Sequence, residues 1–244
     1  MQVILDGKSS ITHSHTISEV SCLQAALNSK LGDTGGSISG SLAITNDLRI
    51  LGDTYLASGS GLKVGYTEAS ATYGWRDIIG QLEVKGVGIA DPEWTKMGAS
   101  VFYAYRFIPN KEVWITYHIP HDYVPGSPVF FHTHWTQDGT CTLTVAWQYS
   151  FTFAKGFDQE SFDMAGRTAT SVQAGPGVAW RHMVSETDPI TLTGIEVDSI
   201  VLVHLKRISH AGASNSDNIF VMTADIHYQS NNMATKNKAP NFYT

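Results

Sequence analysis

The chain has 244 residues, of which 42% are hydrophobic and 16% are charged, and its formal net charge is −6. This length suits one good-sized domain with an appendage, or two small domains. The charge is modest, no basic cluster occurs, and no apolar run approaches the roughly 20 residues that span a bilayer. We therefore expect neither a nucleic-acid partner nor insertion into a membrane.

The first 61 residues form a segment that is rich in Gly, Ser, Thr, Asn and Asp and contains one aromatic residue, Tyr55. So few bulky side chains cannot close a core within a single chain. A capping-box pattern at Thr16–Glu19 and apolar residues at three-to-four spacing predict a short helix over residues 17–31. Because such a helix is marginal alone, we expect it to pack against the same helix of sister chains.

Residues 35–53 follow this helix and alternate aliphatic with small polar side chains around Gly and Asn-Asp turns. The pattern predicts short strands joined by tight turns. Each strand has little apolar surface, so we expect a narrow stem in which three chains share a thin core. A flexible linker is the alternative, because Gly and Ser are abundant. The predicted organisation is a fibrous trimerisation stem over residues 1–61 and a head domain over residues 62–244.

The head domain carries a strong strand signal. In residues 141–153 the odd positions are apolar or aromatic and the even ones are small or polar, which indicates a long half-buried strand. Further β-rich runs cover residues 101–108, 113–119, 129–135, 178–184, 199–207 and 219–228. No long amphipathic helix interrupts them. The predicted fold is all-β, an antiparallel β-sandwich of the jelly-roll type.

Both parts of the chain resemble proteins of bacteriophage tails. Residues 13–30 resemble the trimerising helix of tail fibres, and residues 35–45 are similar to their repeated stem units. Stretches of the head look like a domain at the end of phage virion proteins, at residues 75–80, 118–126, 225–230 and 238–243. The resemblance implies a homotrimeric tail-fibre or receptor-binding protein of the virion. Such a protein binds a host-surface receptor, for which we expect a glycan, and joins other tail proteins through its N-terminus.

Two other functions remain open: a tailspike-like polysaccharide hydrolase or esterase, and a purely structural virion protein such as a decoration or connector element. Glycan hydrolysis needs two carboxyl groups that face each other across the scissile bond. Neither a Gly-x-Ser-x-Gly elbow nor a phosphate-cradling glycine loop occurs. We therefore expect a binding protein and not an enzyme. The carboxylates that a hydrolase could use are Glu160, Asp163, Glu186, Asp188 and Asp198.

Aromatic side chains are the better indication of a glycan site, because sugar faces stack on Trp and Tyr rings. We expect Trp94 and Tyr123, which the sequence places in loops, to be exposed, whereas Trp147 lies on the apolar side of its strand and belongs to the core. Packing in the core or at a trimer interface is the alternative for each exposed ring. The small polar loop at residues 209–218 is a second candidate surface. Its candidate ligand-binding residues are His210, Asn215 and Asp217.

Four histidines of the head form a candidate metal site. His132 and His134 are two apart on a predicted strand and so share a face, which suits zinc or another borderline metal. His118 and His121 lie on a neighbouring strand end and turn, and Asp122 could add a carboxylate. The alternative is that these histidines only form hydrogen bonds with the backbone.

A second histidine pair, His13 and His15, precedes the predicted helix. In a trimer the three pairs would bring six imidazoles to one axis. The resemblance to tail fibres implies that such pairs can hold a structural ion. No other cofactor is expected from the sequence.

Overall fold

The computed structural model describes residue 44 and residues 61–64, 71–86, 88–211 and 214–243. The chain divides into two units, residues 1–55 and 56–244, and the features below belong to the second. Several predictions fall outside the described residues: the helix over residues 17–31, the stem strands, and the metal pair His13 and His15. The trimer and the domain boundary at residue 61 also stay predictions.

Secondary structure in the described residues consists of strands alone, so the all-β prediction is confirmed. No helix there is long and apolar enough to cross a membrane. The strands are β1 (Lys63–Val64), β2 (Thr72–Gly80), β3 (Glu93–Lys96), β4 (Tyr103–Phe107), β5 (Glu112–His118), β6 (Phe130–Gln137), β7 (Thr144–Ala154), β8 (Arg167–Ala174), β9 (Met183–Glu186), β10 (Ile200–Ile208) and β11 (Ile219–Ser230).

The strands form two antiparallel sheets. In the first, the β11 sheet, strand β11 pairs along one edge with β6, which in turn pairs with β9. The other edge of β11 pairs with β4 near its beginning and with β2 further along, and β3 and β1 follow outwards. The second, the β10 sheet, has the strand order β5-β10-β7-β8.

A single core lies between the two sheets. Phe131 of the β11 sheet stacks on Tyr149 of the β10 sheet, with ring centroids 5.5 Å apart. Phe107 meets the fully buried Trp147 edge-on at the same separation. The hydroxyl of Tyr117 donates a hydrogen bond of 2.8 Å across the core to the Ala224 carbonyl. These contacts give the two antiparallel sheets a sandwich-like arrangement, while a jelly-roll topology stays a prediction.

The strand predictions hold best where apolar alternation is long. Residues 141–153 contain most of β7, and its apolar positions from Val145 to Phe153 are buried. The run at residues 178–184 is largely wrong, because β9 begins only at Met183. Trp180 in this run has a φ of 64°, a left-handed conformation that an extended strand does not accommodate.

Candidate functional site

Strand β6 sends its side chains alternately to the two faces of the β11 sheet. Phe131 and Trp135 point into the core, and the intervening His132 and His134 therefore lie on the outer face. The two imidazole rings are 4.8 Å apart. His132 is nonetheless almost completely buried, so other side chains must cover it on this outer face.

Those side chains come from the neighbouring strands. Asp225 of β11 and Glu186 of β9 stand directly opposite His132 in the sheet register. Two residues further along β11, and therefore on the same face, His227 stands opposite Asp77 of β2. We call the whole group the histidine–carboxylate cluster, and its members are Asp77, His132, His134, His182, Glu186, Asp225 and His227.

Asp225 is the centre of the cluster. Its Oδ2 atom lies 3.1 Å from Nε2 of His132 and 3.1 Å from Nε2 of His134. Its Oδ1 atom accepts a 2.6 Å hydrogen bond from the hydroxyl of Thr223. The carboxylate is therefore held between two imidazoles on one strand and a hydroxyl on its own strand.

The remaining members surround this centre. Nε2 of His227 lies 2.6 Å from Oδ1 of Asp77, and its Nδ1 lies 2.7 Å from Oε2 of Glu186. Nδ1 of His134 lies 2.7 Å from Nε2 of His182. These contacts create two sets of possible metal donors, and within each set the donor atoms lie within 4.8 Å of one another. Both sets contain His132. They are His132, His134 and Asp225, and Asp77, His132 and His227.

Two protonation equilibria in the cluster are shifted. Burial alone would raise the pKa of Asp225, but hydrogen bonds from His132 and Thr223 outweigh it and hold the pKa below its usual value. Burial lowers the pKa of His134, and the neighbouring His132 lowers it further. Near neutral pH these shifts favour a charged Asp225 carboxylate beside a neutral His134 imidazole.

The structure does not bring the four predicted histidines together. Nε2 of His118 and Nε2 of His121 both contact Oδ1 of Asp198, at 3.0 and 3.2 Å. Among the described residues, neither belongs to a set of converging metal donors. The reason is the topology, because β5 ends at His118 in the β10 sheet, whereas β6 lies in the β11 sheet.

Asp122, the carboxylate predicted to join the histidines, has other partners. It is buried and accepts hydrogen bonds from the hydroxyls of Tyr228, at 2.9 Å, and Ser230, at 2.5 Å. Arg76 lies 3.1 Å from the same carboxylate. Asp122 thus ties β2 and β11 to the loop after β5.

A second feature is the aromatic hairpin, residues 93–107, formed by β3, β4 and their connection. Trp94 is 59% exposed, as predicted, although it lies on a strand and not in a loop. Its ring is stacked on that of Tyr103, with centroids 6.3 Å apart and planes inclined by 19°. Phe102 is also exposed, and beside it an open apolar groove of about 350 Å³ reaches Met97 and Trp180.

The other predicted ligand-binding residues lie outside the aromatic hairpin, and two of them are buried and hydrogen-bonded within the protein. The expected exposure of Tyr123 is wrong: the residue is fully buried, and its hydroxyl donates to the Ser127 carbonyl at 2.7 Å. Asn215 is buried as well and donates to Gln137 and to the Leu143 carbonyl.

The rest of the polar loop is only partly available to a ligand. Asp217 accepts a hydrogen bond of 2.9 Å from the backbone N–H of Cys141. His210 is exposed, and its backbone N–H donates to Ser214. Buried Arg207 donates a hydrogen bond to the Asn215 carbonyl, which fixes the backbone in the second half of the loop.

Comparisons with known proteins place the chain near no family: no family model and no curated protein matches it. Among solved structures, it is similar to the receptor-binding domain of spike protein P1 from bacteriophage PM2, with 9% identity, 66% of this chain and 99% of that chain covered, and a TM-score of 0.29. It is also similar to Eiger TNF from S. frugiperda, with 6% identity and a TM-score of 0.25; the match covers 67% of this chain and 97% of that chain. A third similar structure is the stem and receptor-binding domain of the same PM2 spike protein, with 8% identity and a TM-score of 0.26. This match covers 63% of this chain and 66% of that chain.

Proposed function

We propose that this chain is a receptor-binding protein of a bacteriophage virion that attaches to a glycan on the bacterial surface. The observation that carries the proposal is the aromatic hairpin, where Trp94 and Tyr103 are exposed and stacked on each other and Phe102 is also exposed. Exposed stacked rings of this kind mark a place of interaction, and flat rings suit the apolar faces of sugars. The resemblance of the sequence to phage tail proteins supplies the biological context.

The hairpin is a suitable base for such a site because its side chains are held in place. Trp94 pairs with Tyr105 in the sheet register, and their rings meet edge-on at 4.9 Å. Arg106 forms an ion pair with Glu93 across the same two strands. Rings that are already positioned lose little conformational entropy on binding.

The proposal includes a homotrimer, as the sequence resemblance implies. A single stacking contact is weak, and three hairpins on one particle would bind a repetitive surface with much higher avidity. The same aromatic rings could instead pack between the subunits of the trimer. If the rings bind glycan, substitution of Trp94 weakens ligand binding; if they pack between subunits, it changes the oligomeric state.

The proposal also treats the protein as a binder without catalysis. Glycosidases use two carboxyl groups that are about 5 to 10 Å apart across the substrate. Two of the candidate carboxylates are engaged with histidines instead: Glu186 contacts His227, and Asp198 contacts His118. Release of oligosaccharide by the protein, abolished by a single carboxylate substitution, would overturn this part of the proposal.

An array of bacterial surface polysaccharides tests the site directly. The full chain should bind a subset of glycans, and Trp94→Ala should weaken that binding at least about tenfold, the loss of roughly one stacked ring. Trp75→Ala is the matched control, because Trp75 is 49% exposed but lies on β2. Light scattering of each variant should give three times the chain mass of 26.6 kDa.

Two results would contradict the proposal. Glycan binding that survives Trp94→Ala and Tyr103→Ala would remove the aromatic hairpin from the site. A trimer that dissociates in Trp94→Ala would assign the ring to a subunit interface.

A further inference from the structure

We propose that the histidine–carboxylate cluster binds one divalent transition-metal ion of the zinc class. The ligands are Nε2 of His132, Nε2 of His134 and the carboxylate of Asp225. This inference is independent of the proposed function, because the cluster lies on β2, β6, β9 and β11 and not on the aromatic hairpin.

The donor types define the class of ion. Two imidazole nitrogens with one carboxylate suit zinc, iron, cobalt or nickel. Calcium and magnesium prefer oxygen ligands throughout, and a site with two histidines discriminates against them.

The distances agree with a shared ion. Bonds of about 2.0–2.2 Å from one metal to its ligands place neighbouring ligand atoms about 3.0–3.5 Å apart. Oδ2 of Asp225 lies 3.1 Å from each of the two Nε2 atoms, and all three donor atoms lie within 4.8 Å of one another. Small side-chain movements are therefore enough to accommodate the ion.

The outer contacts fit the same assignment. A metal-bound imidazole usually donates its second N–H to a polar group, which fixes the orientation of the ring. His134 has such a partner, since its Nδ1 lies 2.7 Å from Nε2 of His182. Thr223 supports the third ligand, because its hydroxyl donates to the other oxygen of Asp225.

The second ring nitrogen of His132 lies on the side of the ring away from Asp225, towards Glu186. This Nδ1 atom is buried and has no hydrogen-bond partner among the described residues, and the nearest carboxylate oxygen, Oε2 of Glu186, lies 3.7 Å away. An unpaired buried nitrogen is costly. Coordination through Nε2 places the proton on Nδ1, so that an N–H and not a lone pair faces the Glu186 carboxylate.

The three carboxylates of the cluster also favour a bound cation. The described ion pairs of Asp77, Glu186 and Asp225 all involve histidines and none involves Lys or Arg. With neutral imidazoles the three carboxylates repel one another, and a divalent ion offsets most of their charge. Protonated histidines would offset it too, and the experiment below separates the two cases.

The stoichiometry follows from His132. Both sets of converging donors use this residue, and its Nε2 has a single lone pair, so the cluster can hold only one ion at that atom. We assign the ion to Asp225 and not to Asp77, because Asp225 is buried and lies 3.1 Å from both of its histidines, whereas Asp77 is half-exposed and lies 3.9 Å from His132.

The test uses the full chain in a His13→Ala/His15→Ala background, which removes the other candidate histidine pair. After dialysis against EDTA, zinc affinity is measured by competition with a chromogenic chelator. We expect one ion per chain, with at least about tenfold weaker binding in His134→Ala and in Asp225→Asn. The matched control is His118→Ala, which removes a histidine that contacts Asp198 and should leave affinity unchanged.

A second measurement on the unsubstituted residues guards against misfolded variants. Cobalt added to the background chain should give visible absorption bands of a site with nitrogen ligands, and zinc should abolish them. Absence of these bands and of zinc binding at millimolar concentration would overturn the proposal in favour of protonated histidines. Binding that survives His134→Ala but is lost in His227→Ala would overturn the assigned ligand set.

Discussion

The two faces of strand β6 are both protected from water, but by different chemistry. On the core face, Phe131 and Trp135 pack among apolar residues of both sheets. On the outer face, His132 is buried equally well beneath imidazoles and carboxylates. Apolar packing needs only volume and shape, whereas the outer face depends on charge balance and on partners from three other strands. The core face should therefore tolerate metal ions and pH changes around neutrality that alter the outer face.

The largest effect that we expect comes from the core face. Trp135→Ala removes a fully buried ring and should lower the free energy of unfolding by about 4 kcal/mol. The measurement is urea denaturation in EDTA. Trp75→Ala, at an exposed position on β2, should cost about 1 kcal/mol or less. Equal losses in the two variants would mean that burial of Trp135 is not what stabilises this face.

Much of the core between the two sheets could be predicted from sequence, because the alternation of a strand is a local pattern. Apolar alternation over residues 141–153 needs no knowledge of partner strands, and β7 is found there. Strand β8 was missed because it lies at the edge of its sheet and carries few buried side chains. Edge strands need less apolar surface, so their pattern resembles that of a loop.

A smaller but still large effect is expected on the outer face. Asp225→Ala in EDTA leaves His132 buried without its main partner and should cost about 3 kcal/mol. Asp198→Ala is the matched control, because this carboxylate also contacts two histidines, but His118 is largely exposed. The control should cost less than about 1 kcal/mol. Comparable losses would show that burial does not distinguish the two groups.

The outer face was only half predictable, because its members are far apart in the sequence. The spacing of His132 and His134 predicts their shared face. Their partners Asp225 and His227 have the same alternation in β11, which could have been noticed, but the pairing of β11 with β6 could not. Sequence proximity instead suggested His118 and His121, which the fold places with Asp198.

Alkaline pH should weaken the core through Tyr149 of β7, whose ring stacks on Phe131 of the core face. Burial raises the pKa of this phenol to about 12, although hydrogen bonds with Ser171 and Thr133 partly oppose the shift. In the unfolded chain the phenol loses its proton near pH 10. The neutral phenol therefore stabilises the fold fully below about pH 10, and this contribution is lost as the pH rises towards 12.

The expected loss from Tyr149 is roughly 2 to 3 kcal/mol between pH 10 and 12, since each pKa unit corresponds to about 1.4 kcal/mol. Urea denaturation at several pH values measures it. Tyr149→Phe should be less stable than the original chain at pH 8, because Thr133 loses a hydrogen-bond partner. Its stability should then fall less steeply above pH 10, because the ionising group is gone. Parallel pH profiles for the two chains would mean that other groups, and not this core phenol, set the alkaline limit.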